Sequence, residues 1–397
     1  MPLGRRFWIY ALGNSVNNMG NAFYLVALPL LVYHLTGSSL SMAVTVATEA
    51  LSTLLLPFWG VWVDRASPRQ IIVGALLFQA GVSAVLPLSL MGHWITVMLL
   101  YAISFFVGTG ANVLQTAQTR IVPLMFPRTR DAASATLTTA YTVTTVLGPF
   151  MAGLALAHHG EVLLLWVNSA SFIAPILLLP WTRIPTSRHA ESRTGPIFKA
   201  LRQGVGELVR QPPIRPIVAT FVALRLTNAV AAVFAVYRLK HAFHAPDALA
   251  GLLFVALGVG GIVGTRVPLW LHGRPLRVTL LIAVLANMLG VTALMTPWVA
   301  CIPVGLALTG AGFLAVAVTR NLWLQRVIPV THLARANTTI RTLTGVTALG
   351  GTLVLGVVSA SAGVDIALAV LLVASALSAV PLLTAPAHAQ GILDPPA

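Results

Sequence analysis

Apolar residues run through this chain in long, nearly unbroken stretches separated by short polar breaks. The hydrocarbon core of a bilayer is about 30 Å thick, and about 20 residues of helix cross it. Open sheets leave backbone groups unsatisfied there, so such stretches read as helices. The pattern predicts spans over 7–34, 40–63, 70–91, 94–118, 131–158 and 161–181, then 214–238, 247–271, 277–296, 298–319, 335–359 and 364–384. The fold class is therefore all-α integral membrane, with twelve transmembrane helices.

The longest connection, 182–213, divides the spans six and six. The organisation follows: an N-terminal six-helix bundle over 1–181, a linker over 182–213, and a C-terminal six-helix bundle with a short tail over 214–397. Within the linker, Ile197–Val209 has the pattern of an amphipathic helix lying at the cytoplasmic interface, with Lys199, Arg202 and Arg210 toward lipid headgroups. The halves resemble each other. Arg120-Ile-Val-Pro123 recurs as Arg326-Val-Ile-Pro329, Arg130 matches Arg335, and Trp62, Asp64 and Arg69 align with Trp270, His272 and Arg277. Three matches at nearly one offset indicate two related bundles in parallel orientation, the arrangement of secondary transporters that bind substrate between halves.

Composition narrows the class. Hydrophobic residues make up 57% of the 397 and charged residues 8%, with a mean hydropathy of +0.88. A soluble domain carries about a quarter charged residues, so this chain could not cover a globule with solvated surface. The net charge of +15 would suggest a polyanion partner in a soluble protein. Here its distribution argues otherwise. With the N-terminus cytoplasmic, every Lys and Arg except Arg225, Arg238 and Lys240 falls in cytoplasmic loops or adjacent helix ends. That asymmetry predicts both termini in the cytoplasm, in an inner-membrane multi-pass protein with no nucleic-acid partner. Residues 7–34 are too long for a signal-peptide core and read as a retained first span. The one cysteine, Cys301, excludes an internal disulfide and a cysteine-based metal site.

The most specific string is Gly60-Val-Trp-Val-Asp64-Arg65-Ala-Ser-Pro68-Arg69. It resembles the cytoplasmic-loop signature of the major facilitator superfamily, Gly-x-Leu-x-Asp-Arg-x-Gly-Arg-Arg. The resemblance implies two pseudo-symmetric six-helix bundles and a loop that latches the cytoplasmic side in the outward-open state. Gly60, Asp64, Arg65 and Arg69 would form that gate. An acid at a helix end can bind the positive N-terminus of a facing helix, here the eleventh span, and Asp131 is the nearest carboxylate for the arginines. The second copy has His272 where the first has Asp64, so the latch is expected to be asymmetric. Leu147-Gly148-Pro149-Phe150-Met151-Ala152-Gly153 is similar to the Gly-Pro-x-x-Gly-Gly core found in the family's antiporters, with Thr144 where the full motif has an earlier glycine. Gly148, Pro149 and Gly153 thus point toward export. Gly20-Asn21 and Leu35-Thr36-Gly37-Ser38 resemble the subgroup containing macrolide and enterobactin exporters, which often has Asp where this chain has Asn21.

Polar groups inside a membrane are costly and by default face a cavity. Asn14, Asn17, Asn18 and Asn21 share one face of the first span. An offset of about 207 carries Asn18 to Arg225 and Asn21 to Asn228 in the seventh span. The family resemblance puts these two helices beside a central cavity, so all six residues are candidates for binding a small-molecule substrate. The four asparagines could instead join helices to one another. Glu49 is the one carboxylate well inside a span. Desolvation raises the pKa of a buried Glu, which suits a proton carrier; a static ion pair with Arg225 or Arg341 is the alternative. His158-His159 and His241-x-x-His244 lack acidic or cysteine partners and read as interfacial histidines, so no metal is expected. No cofactor motif or catalytic constellation is present in the sequence. The expected function is a monomeric secondary transporter exporting a small amphipathic compound, drug-like or siderophore-like, in exchange for protons. The alternatives are an importer or facilitator of a polar or anionic metabolite, and a non-transporting membrane receptor or scaffold.

Overall fold

The computed structural model describes residues 3–56, 58–59, 67–127, 129–182, 206, 214–271, 273–328 and 330–383, with some side chains inside these stretches left out. All regular structure among them is helical. The helices are α1 (Arg5–Thr36), α2 (Ser39–Thr53), α3 (Pro68–Met91), α4 (Val97–Met125), α5 (Arg130–Ser171), α6 (Ile173–Thr182), α7 (Ile214–His241), α8 (Ala248–Trp270), α9 (Leu276–Met295), α10 (Cys301–Val327), α11 (Val330–Ala362), α12 (Val364–Leu377) and α13 (Val380–Leu383). Eleven stretches are long and apolar enough to cross a membrane, one for each expected span except the second. That span is helical over Ser39–Thr53, and part of its remainder lies outside the described residues. The interfacial helix expected over Ile197–Val209 also falls outside them, apart from Gly206.

Local chemistry sets the boundaries. Pro68 opens α3, where a missing N–H costs nothing. Thr96 caps α4, its hydroxyl accepting from the Leu99 N–H at 3.3 Å. The fifth and sixth spans run on as one helical stretch, α5, broken at Gly160, whose φ of 73° lies in the left-handed region that a side chain disfavours. The polar break His158-His159-Gly160 in the sequence marks the same place.

The chain divides into two compact units. Unit 1 comprises Met1–Thr36, Thr48–Thr194 and Pro246–Val255; unit 2 comprises Gly37–Ala47, Gly195–Ala245 and Ala256–Ala397. In unit 1, Ile71, Leu76, Val113, Leu114 and Ile121 of α3 and α4 form a core with Phe172 and Leu179. In unit 2, Phe221 and Leu224 of α7 pack with Leu280 of α9, Val316 and Leu324 of α10, and Ile340 of α11. Water does not drive such helices together inside a bilayer; close packing and interhelical hydrogen bonds do. Unit 2 shows both devices. A Cβ at Gly260 would lie 1.8 Å from the Ala307 carbonyl oxygen, and one at Gly264 2.1 Å from that of Ala311, so α8 and α10 touch backbone to backbone. A buried polar network runs from Thr227 to Ser375 (3.0 Å), from Ser375 to Asn287 Oδ1 (3.0 Å), and from Asn287 Nδ2 to the Thr309 carbonyl (3.4 Å).

Candidate functional site

The asparagine face of α1 divides its polarity among several neighbours within unit 1. Gln118 Nε2 of α4 donates to Asn14 Oδ1 at 2.9 Å. Asn168 Nδ2 of α5 donates to Asn21 Oδ1 at 3.4 Å. Asn17 is buried, 2% exposed, and its Oδ1 has no hydrogen-bond partner among the described residues. It lines a small cavity with Tyr10, Asn14, Gln118 and Thr182, and the Tyr10 hydroxyl there is likewise unpartnered. About 20 Å³ is open to the centre of a water-sized molecule, more than the 10–15 Å³ or so that one water requires. Asn18 is half-exposed. Asn14 and Asn21 thus join helices, Asn17 faces a cavity inside the bundle, and Asn18 keeps a partly open side.

Glu49 stands ten residues into α2, counted from Ser39, and is exposed. Every other described carboxylate lies within two residues of a helix end or break: Asp131 in α5, Glu161 after Gly160, Asp247 before α8, and Asp365 in α12. Around Glu49, α2 and α4 come close. A Cβ at Gly108 would lie 3.1 Å from Glu49 Cγ. Asn112 Nδ2 donates to Ser52 Oγ at 2.9 Å, and Ser52 Oγ donates to the Glu49 carbonyl at 2.6 Å.

In the antiporter-like motif, Gly148 and Pro149 are buried in the middle of α5. A Cβ on Gly148 would sit 2.4 Å from Ala22 Cβ of α1, and one on Gly153 would sit 2.9 Å from Gly251 Cα of α8. Both glycines therefore allow α5 to approach another helix more closely than any side chain permits. Of the loop signature, Gly60, Asp64 and Arg65 lie outside the described residues, as does the side chain of Asp131. Arg69 is exposed in the first turn of α3.

The first helix of unit 2 is built differently. Arg225 and Asn228, one turn apart on α7, are half-buried. Phe221 of α7 stacks on Phe313 of α10, centroids 5.4 Å apart and planes 21° from parallel. Arg225 Cζ lies 5.7 Å from the Phe313 centroid, and Arg320 Cζ lies 4.0 Å from that of Phe221. The sequence reading groups Arg320 with the charges of a helix end. The structure sets it seven residues before the end of α10 at Val327, half-buried. A lone arginine deep in a membrane helix costs about 2.5–3.5 kcal/mol on insertion scales, and a cation–π contact returns about 0.5–2 kcal/mol. The ring contacts offset part of that cost.

A further group of charges joins helix ends of unit 1. His34 Nδ1 at the end of α1 lies 2.7 Å from Glu161 Oε1, and its Nε2 lies 3.4 Å from Asp247 Oδ1. No sequence motif singles out His34 or either acid. Residues 34, 161 and 247 are too far apart in the chain for any spacing rule to join them.

Eleven helices of membrane length and composition among the described residues define a polytopic membrane protein. The sequence profile of the Major Facilitator Superfamily matches residues 10–300, and the chain belongs to that family. It is a multi-pass membrane protein, and the family is one of transporters rather than enzymes. Over 189 residues the chain is 25% identical to the fosmidomycin resistance protein of Escherichia coli (strain K12). That match takes in 47% of this chain and 45% of the relative, so it spans about half the relative's length. Among solved structures, a bacterial homologue of the iron transporter ferroportin in an inward-facing state superposes with a TM-score of 0.73 at 18% identity, over 96% of this chain and 99% of that one. A bacterial homologue of the human lysosomal transporter Spinster, inward-facing and unoccupied, gives 0.73 at 14% identity, over 99% and 98%. The nucleoside transporter NupG gives 0.73 at 11% identity, over 96% and 98%. At these identities the likeness establishes the fold, which is the twelve-helix plan the sequence predicts.

Proposed function

We propose that this chain is a secondary active transporter that exports a small amphipathic compound in exchange for protons. It works by alternating access, as a monomer in the inner membrane with both termini in the cytoplasm. The observation that carries the coupling is the position of Glu49, the one described carboxylate in the body of a helix rather than at its end. A proton carrier must lose and regain its proton near neutrality. Arg and Lys titrate far too high for that, which leaves a carboxyl such as Glu49 as the candidate carrier. Export is supported by the relative named for fosmidomycin resistance and by the Gly148-Pro149 motif. Asn14, Asn17, Asn18, Asn21, Arg225 and Asn228 supply the polar groups of the substrate path. Gly60, Asp64, Arg65 and Arg69, with Asp131, act as the cytoplasmic gate.

Proteoliposomes with an imposed pH difference test the coupling. Glu49→Gln mimics the protonated state, so it should keep substrate binding and downhill exchange while losing accumulation against a gradient. Uphill export by Glu49→Gln from the pH difference alone would overturn the assignment. A second reading is import or facilitated diffusion of a polar or anionic metabolite, favoured by the guanidinium of Arg225 over Phe313. Transport that follows the substrate gradient whatever the pH would support it.

A further inference from the structure

Unit 2 holds a group of cations deep in its helices that the proton-coupling role does not use. Arg225 lies eleven residues from the start of α7, Arg341 eleven from the start of α11, and Arg320 seven from the end of α10. At 1.5 Å per residue these are about 16, 16 and 10 Å along their helices. All three helix ends face the same side by topology, so the three guanidiniums occupy one broad layer of the unit. Among the described residues of unit 2, the one carboxylate is Asp365 at the opposite ends of the helices, where it pairs with Arg238.

Arg320 is the most exacting of the three. Among the described residues, its side chain donates a hydrogen bond to its sequence neighbour, Asn321 Oδ1. Its Nε is buried without a hydrogen-bond partner among the described residues. One face of the guanidinium is set on the Phe221 ring, which stacks in turn on Phe313, which carries Arg225. This chain of contacts fixes the plane of a fork-shaped donor and leaves the donors themselves under-used. Guanidinium is suited to bidentate pairing with a carboxylate or phosphate-type oxyanion. Phe221 is 7% exposed and Phe313 is half-buried, so the second ring of the stack keeps an open part for an apolar body.

We propose that Arg320, with Phe313 and Arg225, forms a binding site for an organic oxyanion carrying an aromatic or other flat apolar group. This rests on the transporter reading above and names its substrate class; it does not depend on the direction of transport or on protons. The same oxyanion chemistry could come from a substrate or from the phosphate of a lipid headgroup, and the experiment separates the two.

Equilibrium binding without any gradient is the direct test. Phenylphosphonate and benzoate, with benzamide as the neutral counterpart, are titrated onto the full chain in nanodiscs. The lipid is phosphatidylcholine alone or phosphatidylcholine with phosphatidylglycerol. Both anions should bind at least about tenfold more tightly than benzamide, the discrimination expected of a charge-assisted pair. Arg320→Gln should remove that preference, Arg320→Lys should restore part of it, and Phe313→Ala should weaken phenylphosphonate more than inorganic phosphate. Arg238→Gln should leave the preference intact. If Arg320→Gln does not fold, Arg320→Lys and Phe313→Ala decide alone: unchanged anion preference in both overturns the proposal. Equal binding of benzoate and benzamide to the native chain overturns it as well. If the Arg320-dependent signal is a response to phosphatidylglycerol and none is seen with the soluble anions, the site is a lipid anchor and the substrate assignment fails. Anion binding that depends on Arg320 in a protein unable to export against a gradient would sink the proton-coupled reading and leave this one standing. Proton-driven export with no anion preference would do the reverse.

Discussion

Two helices that occupy the same place in the sequence repeat, α1 and α7, handle polarity inside a membrane in opposite ways. On α1 the polar groups are neutral amides, and the bundle around them absorbs much of their capacity: Gln118 bonds Asn14, and Asn168 bonds Asn21. On α7, Asn18's counterpart is Arg225, whose guanidinium lies over the ring of Phe313. An amide can be satisfied by another amide across a helix interface at little cost. A guanidinium has no such neutral partner, because its charge survives any number of hydrogen bonds to neutral groups. Unit 2 does make the amide type of link as well, through Asn287, Ser375 and Thr227. The polarity of α1 therefore works chiefly to join helices, whereas α7 and α10 carry guanidiniums set against aromatic rings.

The comparison can be broken by force or sharpened by substitution. The largest effect is expected from Gly148→Val, because its new Cβ would fall 2.4 Å from Ala22 Cβ and push α5 from the amide-bearing helix. Overpacking of this kind costs about 1–3 kcal/mol. It should lower the melting temperature in detergent and abolish transport, whereas Gly148→Ala should be milder. A Gly148→Val protein as stable and active as the native chain would show that α1 and α5 can part freely.

Arg225→Asn is the next test, since it gives α7 the residue type that α1 carries at the equivalent position. Transport of an anionic substrate should fall about tenfold or more, the value of one charge-assisted contact, while that of a neutral analogue changes little. Equal losses for both would make Arg225 a structural residue. Asp64→Asn makes the first loop resemble the second, which has no acid at that position. Turnover should slow with folding and insertion intact, as judged at matched expression. Normal turnover would remove the proposed mechanical role of the gate. The smallest change is expected from Asn21→Ala. Interhelical hydrogen bonds in membranes average about 0.6 kcal/mol, so a barely shifted thermal transition and near-normal transport should follow. A loss as large as that of Arg225→Asn would mean that Asn21 serves the substrate directly.

The class of fold was legible along the chain because membrane insertion is judged segment by segment. Each stretch must be apolar over the thickness of the bilayer, and no distant contact relieves a stretch that is not. The twelve-span plan, the break at Gly160 and the separation of α9 from α10 at Thr296–Ala300 all follow from local composition. The isolation of Glu49 among carboxylates is a one-dimensional fact of the same kind. Orientation is not. The helical period placed four asparagines on one face, but only the packing of α4 and α5 decided which would be bonded, which would line a cavity, and which would stay partly open. Arg320 looked like a helix-end charge until α10 was seen to continue to Val327 and the ring of Phe221, 99 positions earlier in the chain, came to lie under it. His34, Glu161 and Asp247 are likewise joined only by the meeting of three helix ends. Hydrophobicity is a property each residue carries into the bilayer by itself, whereas a binding or coupling group acquires its partners from residues that the chain order keeps far apart.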